Sequence, residues 1–252
     1  LLTGRVPKDF DIATSARPRS VTQLFSRARI IGRRFKLVHV RAGGGSILEV
    51  STFRGFSTEG NNHYGTMPED ALRRDFTING LYYCPRRQQI IDYVGGLIDI
   101  TARRIRTIGN PEEAFVEDPV RMLRAVKYAS FLSIRVPEPY RRLIRRHSRR
   151  LGSCPTGRLS EELRKVLSSG NGSDILLRCL RLGLLSELLP AVASRVHSRR
   201  QDPLFIELQR IERSSPEREE VRLQSMAALS LAVGGIDAVS YTHLTLPTIL
   251  LV

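Results

Sequence analysis

The stretch KDFDIAT (residues 8–14) places two aspartates, Asp9 and Asp11, on either side of Phe10. On a β-strand successive side chains point to opposite faces, so both carboxylates would share one face while Phe10 and Ile12 anchor the other face in a core. Paired carboxylates suit Mg²⁺, and phosphoryl transfer commonly uses two such ions. The same triplet is also typical of two solvated loop acids, so the spacing alone leaves both interpretations open.

The charge of the chain points to a polyanionic partner. Its 252 residues include 40 Lys and Arg against 25 Asp and Glu, a formal net charge of +15. Such an excess favours nucleic acid or an anionic membrane, and no apolar run approaches the ~20 residues of a spanning helix, which disfavours the membrane. Cys84, Cys154 and Cys179 stand alone without metal-binding spacing, which predicts a reducing, cytoplasmic location.

Both ends of the sequence look incomplete. The first residues, LLTGRVPKDF, include neither an initiator Met nor a signal peptide. The segment VSYTHLTLPT (239–248) equals the translation of a sequencing-adapter read-through, so we expect residues 239–252 to be a non-native tail. We therefore expect a fragment that is truncated at both ends.

The first 110 or so residues mix strand and helix patterns. FKLVHV (35–40) and ILEVSTF (47–53) are rich in β-branched and aromatic residues and are joined by a glycine turn, which predicts a hairpin. On that hairpin Glu49 is either a third acid beside the aspartate pair or an exposed strand residue. Helices are predicted over 20–28 and over PEDALRRDFTINGLYY (68–83).

From Pro119 onward the pattern is helical. Asp118 is a plausible N-cap and Pro119 a first helical residue, which predicts a helix over PVRMLRAVKYASFL. Further helices are predicted over three later segments: EPYRRLIRRHSRRL (138–151), LSEELRKVLSS (159–169) and DILLRCLRLGLLSELL (174–189). The fold class is therefore predicted as α+β, with a mixed-sheet head, a helical neck and a helical body.

Two polar clusters carry further chemistry. RRDFTIN (73–79) combines arginines, which suit phosphate, with an acid and an amide that suit ribose hydroxyls, although a plain helix surface is equally possible. In EDPVRMLR (117–124), Asp118, Arg121 and Arg124 can project to one side and present an acceptor and donors to a purine edge. The alternative is that Asp118 only caps the helix and Arg121 only forms an ion pair.

A third cluster is a run of arginines within about a 180° arc of one amphipathic helix. With no acid between them they would repel one another, unless an anion such as nucleic-acid phosphate neutralises them. A solvated helix face is the simpler alternative. The run comprises Arg141, Arg142, Arg145, Arg146, Arg149 and Arg150.

The ordered set of these motifs resembles a known family. KDFDIAT, GRRFKLVHV, EVSTFRG, YGTMPEDALRRDFTINGLYY, DYVGGLIDI, RRIRTIGNPEEAF and EDPVRMLRAVKYA follow one another over residues 3 to about 135. The set is similar to the head and neck of the class II nucleotidyltransferases of the polymerase-β superfamily, which include bacterial poly(A) polymerases and tRNA CCA-adding enzymes. The segment GRRFKLVHV (32–40) is similar to the poly(A) polymerase version.

The resemblance implies roles for individual residues. It implies that Asp9 and Asp11 ligate two catalytic Mg²⁺ ions and that Asp75 is a further active-site acid. Arg74 and Asn79 would contact the nucleotide, and Asp118, Arg121 and Arg124 would face the base and triphosphate. Arg158 and Glu162 in GRLSEEL resemble a later helix-bracing motif, and the role of Glu49 stays open. The family's glycine-rich GG-x-VRD segment, which holds the triphosphate, is missing upstream.

The resemblance also implies domains and an activity. The expected domains are a nucleotidyltransferase head (1–112), a neck for base recognition (113–150) and an RNA-binding body (151–238). The expected activity is template-independent transfer of AMP from ATP to RNA 3′ ends, with the arginine run holding RNA. The alternatives are a CCA-adding tRNA nucleotidyltransferase and a catalytically silent RNA-binding paralogue.

Overall fold

Two compact units make up the structure, a computed structural model. It describes Leu2 and residues 11–32, 36–56, 63–214 and 217–233. One unit comprises residues 1–102 with 106–108, and the other comprises 103–105 with 109–252. Asp9 and the segment 239–252 lie outside the described residues. The domain boundaries at 112, 150 and 238 stay predictions.

The first unit contains a four-stranded sheet and a separate two-stranded hairpin. The strands are β1 (Asp11–Thr14), β2 (Ala28–Ile31), β3 (Leu37–Arg41), β4 (Ile47–Thr52), β5 (Leu81–Cys84) and β6 (Gln89–Asp92). The sheet order is β1-β4-β3-β2, with β1 parallel to β4 and the other pairs antiparallel. The predicted β3–β4 hairpin is confirmed, and a 3₁₀ turn at Gly43–Gly45 joins its strands.

One face of the sheet is largely apolar because Val38 and Val40 of β3 and Leu48 and Val50 of β4 lie at alternate positions of their strands. Val38, Val40 and Val50 are buried together with Val21 of helix α1 (Pro18–Leu24). Burying these side chains against one helix fixes the strand register, since a slip of one residue would turn the valines to solvent. The opposite face is left for polar side chains.

The predicted helix over 20–28 is wrong at its end, because Ala28 already belongs to β2.

The predicted helix over 68–83 is also wrong. Helix α2 covers only Met67–Leu72, and a 3₁₀ turn at Thr77–Asn79 then leads into β5. Phe76 is fully buried and forms a bridge with Thr107, and the Thr77 N–H donates to the Arg106 carbonyl over 3.0 Å. These partners lie far along the chain, so the local helix pattern could not reveal them.

Helix α3 (Gly96–Thr101) holds the same turn from the other side. The Thr77 hydroxyl donates to buried Asp99 over 2.6 Å, and Asp99 also accepts from Arg106 Nε over 2.8 Å. A Cβ on Gly96 would lie 2.3 Å from the Thr77 carbonyl oxygen, so only glycine allows this approach. The second half of RRDFTIN is therefore a turn that contacts with α3 and Arg106 hold in place.

A capping box begins α2. The Thr66 hydroxyl accepts from the Glu69 N–H over 3.4 Å, and Glu69 Oε2 accepts from the Thr66 N–H over 2.7 Å. We expect Thr66→Ala to lower the free energy of unfolding of the first unit by about 1 kcal/mol, measured by urea denaturation. Thr66→Ser keeps the acceptor and is expected to restore most of the loss. Equal stability of the alanine variant and the wild type would contradict this role.

The second unit is helical. Its helices are α4 (Pro111–Glu117), α5 (Val120–Phe131), α6 (Glu138–His147), α7 (Thr156–Leu167), α8 (Gly172–Arg181), α9 (Leu185–Leu188), α10 (Pro190–Ala193), α11 (Pro203–Ser214) and α12 (Arg218–Ala232). Helix α5 packs against α7 and α8, and α11 packs against α8 and α12. The sheet of the first unit and these helices confirm the predicted α+β class.

Two helix boundaries in the structure differ from the predicted ones. Helix α5 begins at Val120 rather than Pro119, but Asp118 Oδ1 still accepts from the Val120 N–H over 3.3 Å. The segment 174–189 forms two helices rather than one, because Gly183 adopts φ of +78° and ends the first. Among the described residues, no helix has the length and hydropathy needed to cross a bilayer.

Candidate active site

A cleft of about 750 Å³ lies in the first unit, within the range of ~300–1,000 Å³ that is typical of small-molecule sites. One wall is the polar face of the sheet, with Asp11, Glu49 and Ser51. The other wall comes from the segment after β4 and from the α2 to β5 region. Its polar lining residues include Arg54, Arg73, Arg74, Asn79 and Tyr82. The cleft therefore has carboxylates on one wall and guanidinium groups on the other.

Sheet register brings the two carboxylates together. β1 pairs with β4 in parallel, and Asp11 lies opposite Glu49. Directly paired residues point to the same face of a sheet, and both side chains are exposed at the cleft. Glu49 Oε1 also lies 3.3 Å from His39 Nε2 on β3. Of the two aspartates, Asp11 therefore lies beside Glu49 on one wall, whereas Asp9 lies outside the described residues.

Asp70 organises the arginine wall, although it is only 2% exposed. Its Oδ1 accepts from Arg73 Nε over 2.9 Å and Nη2 over 2.6 Å, and from the Arg54 N–H over 3.1 Å. Its Oδ2 accepts from Arg74 Nη2 over 2.7 Å and from the Tyr82 hydroxyl over 2.6 Å. One buried carboxylate therefore orients two guanidinium groups and a phenol at the cleft.

The protonation of this network follows from its contacts. Burial alone would raise the pKa of Asp70, but hydrogen bonds from Tyr82, Arg74 and Arg73 outweigh burial and lower that pKa to about 2. Burial, together with donation to Asp70, raises the pKa of Tyr82 to about 12. At neutral pH, Asp70 is therefore charged and Tyr82 keeps its proton. Burial and the neighbouring Arg73 lower the pKa of Arg54.

The sequence patterns did not identify Asp70 or Tyr82 as residues of the site. A signal for Asp70 was present, because it precedes Arg73 and Arg74 by three and four residues, the spacing at which helix side chains meet. No comparable signal exists for Tyr82, because β5 brings it to Asp70 only after the chain has turned.

The structure brings some predicted residues together and leaves others apart. Asp11, Arg74 and Asn79 all line the cleft. The described residues that line it do not include Asp75, whose carbonyl accepts from the Ile108 N–H over 3.2 Å. Asp9 lies outside the described residues. The roles of all these residues stay predictions.

A divalent ion is the cofactor that the resemblance implies. Hard cations such as Mg²⁺ take carboxylate oxygens, and Asp11 and Glu49 offer two carboxylates on one wall. Within the described part of the chain, no group of three His, Cys, Asp or Glu side chains has the arrangement of a metal site. The donor chemistry fits magnesium, with Asp9 as the predicted additional ligand.

In the second unit, the predicted base-recognition residues have protein partners. Asp118 Oδ2 accepts from Arg158 Nη2 over 2.8 Å. Arg121 Nη1 donates to the Ala114 carbonyl over 3.2 Å and is paired with Glu117. The capping and ion-pair alternatives therefore describe real contacts, and they leave open whether the same groups also face a base.

Glu162 links α7 to α5. It is 3% exposed, and its carboxylate lies 2.9 Å from Arg124 Nε and 2.6 Å from Lys127 Nζ. Burial raises its pKa, but Lys127 and Arg124 outweigh burial, so the net shift is downward and Glu162 is charged at neutral pH. Glu162 and the Arg158–Asp118 pair thus connect α7 to the predicted base-recognition residues. Such contacts are expected of a helix-bracing motif.

The arginine run does not form one helix face. Helix α6 ends at His147, and Arg149 and Arg150 lie in a 3₁₀ segment, Ser148–Ser153. Arg141 lies 2.9 Å from Glu138, and Arg146 lies 3.2 Å from Glu112 of α4. No acid lies within the run itself, but Glu138 and Glu112 outside it neutralise part of its charge.

Comparison with known proteins places these observations in a family. Residues 1–106 match the family model of the poly(A) polymerase head domain, and residues 135–195 match that of the probable RNA and SrmB-binding site of polymerase A. Poly(A) polymerase I of Salmonella typhi is 42% identical over 210 residues, which cover 76% of this chain and 45% of that protein.

CCA-adding enzymes are also similar. One from Bacillus velezensis is 34% identical over 187 residues, covering 71% of this chain and 47% of that protein. The crystal structure of the Bacillus stearothermophilus CCA-adding enzyme in complex with CTP has a TM-score of 0.67 and 27% identity, covering 92% of this chain and 58% of that one. The chain spans about half the length of the curated relatives it matches. It belongs to the nucleotidyltransferase family of poly(A) polymerases and CCA-adding enzymes.

Proposed function

We propose that this chain carries the catalytic head and RNA-binding region of a template-independent polynucleotide adenylyltransferase. The observation that carries the proposal is the cleft with Asp11 and Glu49 on one wall and the Asp70-anchored arginines on the other. An RNA 3′-hydroxyl oxygen bonds to the α-phosphorus of ATP, the bond from that phosphorus to the bridging oxygen breaks, and pyrophosphate leaves. The hydroxyl proton is lost to solvent or to a nearby carboxylate.

The carboxylate wall serves the attacking hydroxyl. We propose that Asp9 and Asp11 hold two Mg²⁺ ions and that Asp75 is a further acid of the site. When bound, Mg²⁺ favours deprotonation of the hydroxyl and offsets charge on the phosphates. Glu49 lies beside Asp11 and adds negative charge to the wall, which favours binding of a cation.

The arginine wall serves the nucleotide. Guanidinium groups bind phosphate oxygens through paired N–H donors, and Arg73 and Arg74 are already oriented by Asp70. Little reorganisation is then needed when ATP binds, and positioning supplies most of the catalysis in such transfers. The Asn79 amide, which lines the same cleft, is suited to ribose hydroxyls.

We assign base recognition to Asp118 and to the first turns of α5. Asp118 would accept from the adenine amine and Arg121 would donate to a ring nitrogen, with Arg124 beside them. Each Asp118 oxygen keeps acceptor capacity after its contact with Arg158 or Val120, because a carboxylate oxygen has two lone pairs.

Adenylate transfer to RNA is favoured over CCA addition by the relatives. Identity is 42% to a poly(A) polymerase and 34% to a CCA-adding enzyme. We further propose a cytoplasmic role in RNA processing, with the excess of arginine holding RNA. The described cysteines, Cys84, Cys154 and Cys179, are free thiols, as is usual in a reducing compartment.

The test supplies the complete gene product with ATP or CTP and with either a generic RNA or a tRNA that lacks its 3′ end. We expect AMP incorporation into the generic RNA, at a rate at least about 10-fold above CMP incorporation, because the base contacts suit a purine edge. Gel analysis of end-labelled RNA measures both rates.

Two outcomes would replace the proposal. Ordered CMP and AMP addition confined to the shortened tRNA would identify a CCA-adding enzyme. RNA binding without any nucleotide addition would identify a catalytically silent paralogue.

A further inference from the structure

A second pocket, of about 330 Å³, lies in the helical unit. Its walls come from α6, from α8 and from the segments before α6 and α11. The arginines that line it are Arg135, Arg141, Arg145, Arg178, Arg181 and Arg200. Among the described residues, the carboxylates that pair with these arginines are Asp174, in the lining, and Glu138, beside Arg141 and Arg145. These described side chains together carry an excess of four positive charges.

Four of these six arginines are held by contacts within the unit, among them Arg141, which lies 2.9 Å from Glu138. Arg178 lies 2.7 Å from Asp174 and donates to the Ile134 carbonyl over 2.6 Å. Arg181 donates through Nε and Nη2 to the Ser198 carbonyl over 3.2 and 3.1 Å. Arg200 lies 3.7 Å from Asp174. Groups held in this way lose little conformational entropy when an anion binds.

Other arginines of the pocket retain binding capacity. Arg135 is exposed and makes no ion pair with any described residue, and Arg145 only reaches Glu138 at 4.0 Å. Each guanidinium group carries five N–H donors, so both can give paired donors to an anion. The pocket thus combines guanidinium groups that are fixed by protein contacts with guanidinium groups that are available to a bound anion.

We propose that this pocket binds the phosphodiester backbone of single-stranded RNA, without reading its bases. The lining residues are arginines, Asp174, Val136 and Leu182, and among these described residues there is no aromatic ring on which a base could stack. Charged donors without a stacking surface bind phosphate irrespective of sequence. The inference rests on the proposed function and specifies which arginines hold the RNA.

The pocket also divides the arginine run of α6. Arg141 and Arg145 line the pocket, whereas Arg146 and His147 lie 3.2 and 2.9 Å from Glu112 of α4. Arg142 and Arg149 are exposed, line no part of the pocket and make no ion pair with a described residue. They provide a control that removes the same charge from the same region.

The test compares two double variants of the chain by fluorescence anisotropy with a labelled RNA of about 20 nucleotides, long enough for a typical single-strand site. We expect Arg135→Gln with Arg145→Gln to weaken RNA binding at least about 10-fold and to reduce the salt slope by roughly 1.4, as for two lost phosphate contacts. Arg142→Gln with Arg149→Gln is expected to weaken it less than about 3-fold. Wild-type affinity is expected to be the same for RNAs of different sequence.

Several results would overturn the inference. Equal losses in both double variants would mean that only the general positive field attracts RNA. Displacement of RNA by polyglutamate at equal charge concentration would favour an acidic protein partner, and displacement by pyrophosphate would favour a small-anion site. The binding assay needs no nucleotide transfer, so the two proposals can fail separately. If the wild type binds RNA through the pocket but transfers no nucleotide, only the proposed function is contradicted. If the wild type is active but the pocket variant binds RNA with wild-type affinity, only this inference is contradicted.

Discussion

Asp11→Asn is expected to reduce AMP transfer to RNA by about 1,000-fold, with little change in the free energy of unfolding. Asp11 is exposed at the cleft, so the substitution removes a negative charge without opening a cavity or leaving a buried group unpaired. Its carboxylate stands beside Glu49 on the wall that faces the arginines, where we propose that the attacking hydroxyl is activated. Single-turnover transfer rates and urea denaturation measure the two quantities.

The control for this variant is Glu113→Gln, which removes an exposed carboxylate from the helical unit. It is expected to transfer AMP at the wild-type rate. Magnesium titration adds a second readout, because loss of a ligand raises the ion concentration needed for half-maximal rate. Wild-type transfer and wild-type magnesium dependence in Asp11→Asn would rule out the metal role of this residue.

Asp70→Asn is expected to raise the KM for ATP by at least about 10-fold and to lower the free energy of unfolding of the first unit by roughly 3 kcal/mol. Asp70 is 2% exposed and accepts from both arginines and from Tyr82, so its neutralisation leaves guanidinium groups without their counter-ion. The misplaced groups would bind the triphosphate poorly. Asp70 is a positioning residue, since we propose that it acts through Arg73 and Arg74.

Asp92→Asn provides the matched control. Asp92 is a half-buried carboxylate of the same unit, accepts from the backbone N–H groups of residues 94–97, and is not among the described residues that line the cleft. We expect it to destabilise the unit while leaving the KM for ATP within about 3-fold of wild type at permissive temperature. If both variants raise KM equally, loss of stability rather than loss of orientation explains the effect.

The pH dependence of the Asp70 effect has a defined sign. The pKa of Asp70 is lowered from 3.8 to about 2, so its charged form contributes stability above about pH 4, and this contribution is lost as pH falls through 2. The shift corresponds to about 2 kcal/mol. The stability difference between wild type and Asp70→Asn should therefore shrink from pH 5 to pH 2, as followed by urea denaturation. A difference that stays constant over that range would contradict the assignment.

The sequence determined the elements whose signals are local. The β-branched and aromatic residues of β3 and β4, with the glycine turn between them, predicted the hairpin, and strand alternation placed Glu49 and Ser51 on one face of it. Strand periodicity also set Asp11 on the face opposite Ile12, but only the pairing of β1 with β4 brought Asp11 beside Glu49. The order of the motifs was enough for the family, since each is a short and continuous segment.

Only the tertiary structure decided where the helical pattern of 68–83 is interrupted. The local pattern continues past Arg73, but burial of Phe76 and the contacts of Thr77 with Arg106 and Asp99 stabilise a turn there. These partners lie more than 20 residues away, and their energy exceeds the small preference of a few residues for helix. The same turn brings Tyr82 to Asp70, a contact that no sequence spacing predicts.

The arginines of α6 show the same division between sequence and fold. Their charge and number, read from the sequence, pointed to a polyanion. Which of them are available depends on where Glu112 of α4 and the arginines of α8 lie, because an ion pair neutralises one guanidinium group while neighbouring cations make another site more positive. Composition and period follow from the chain alone, whereas the pairing of charges depends on the packing of helices that are distant in sequence.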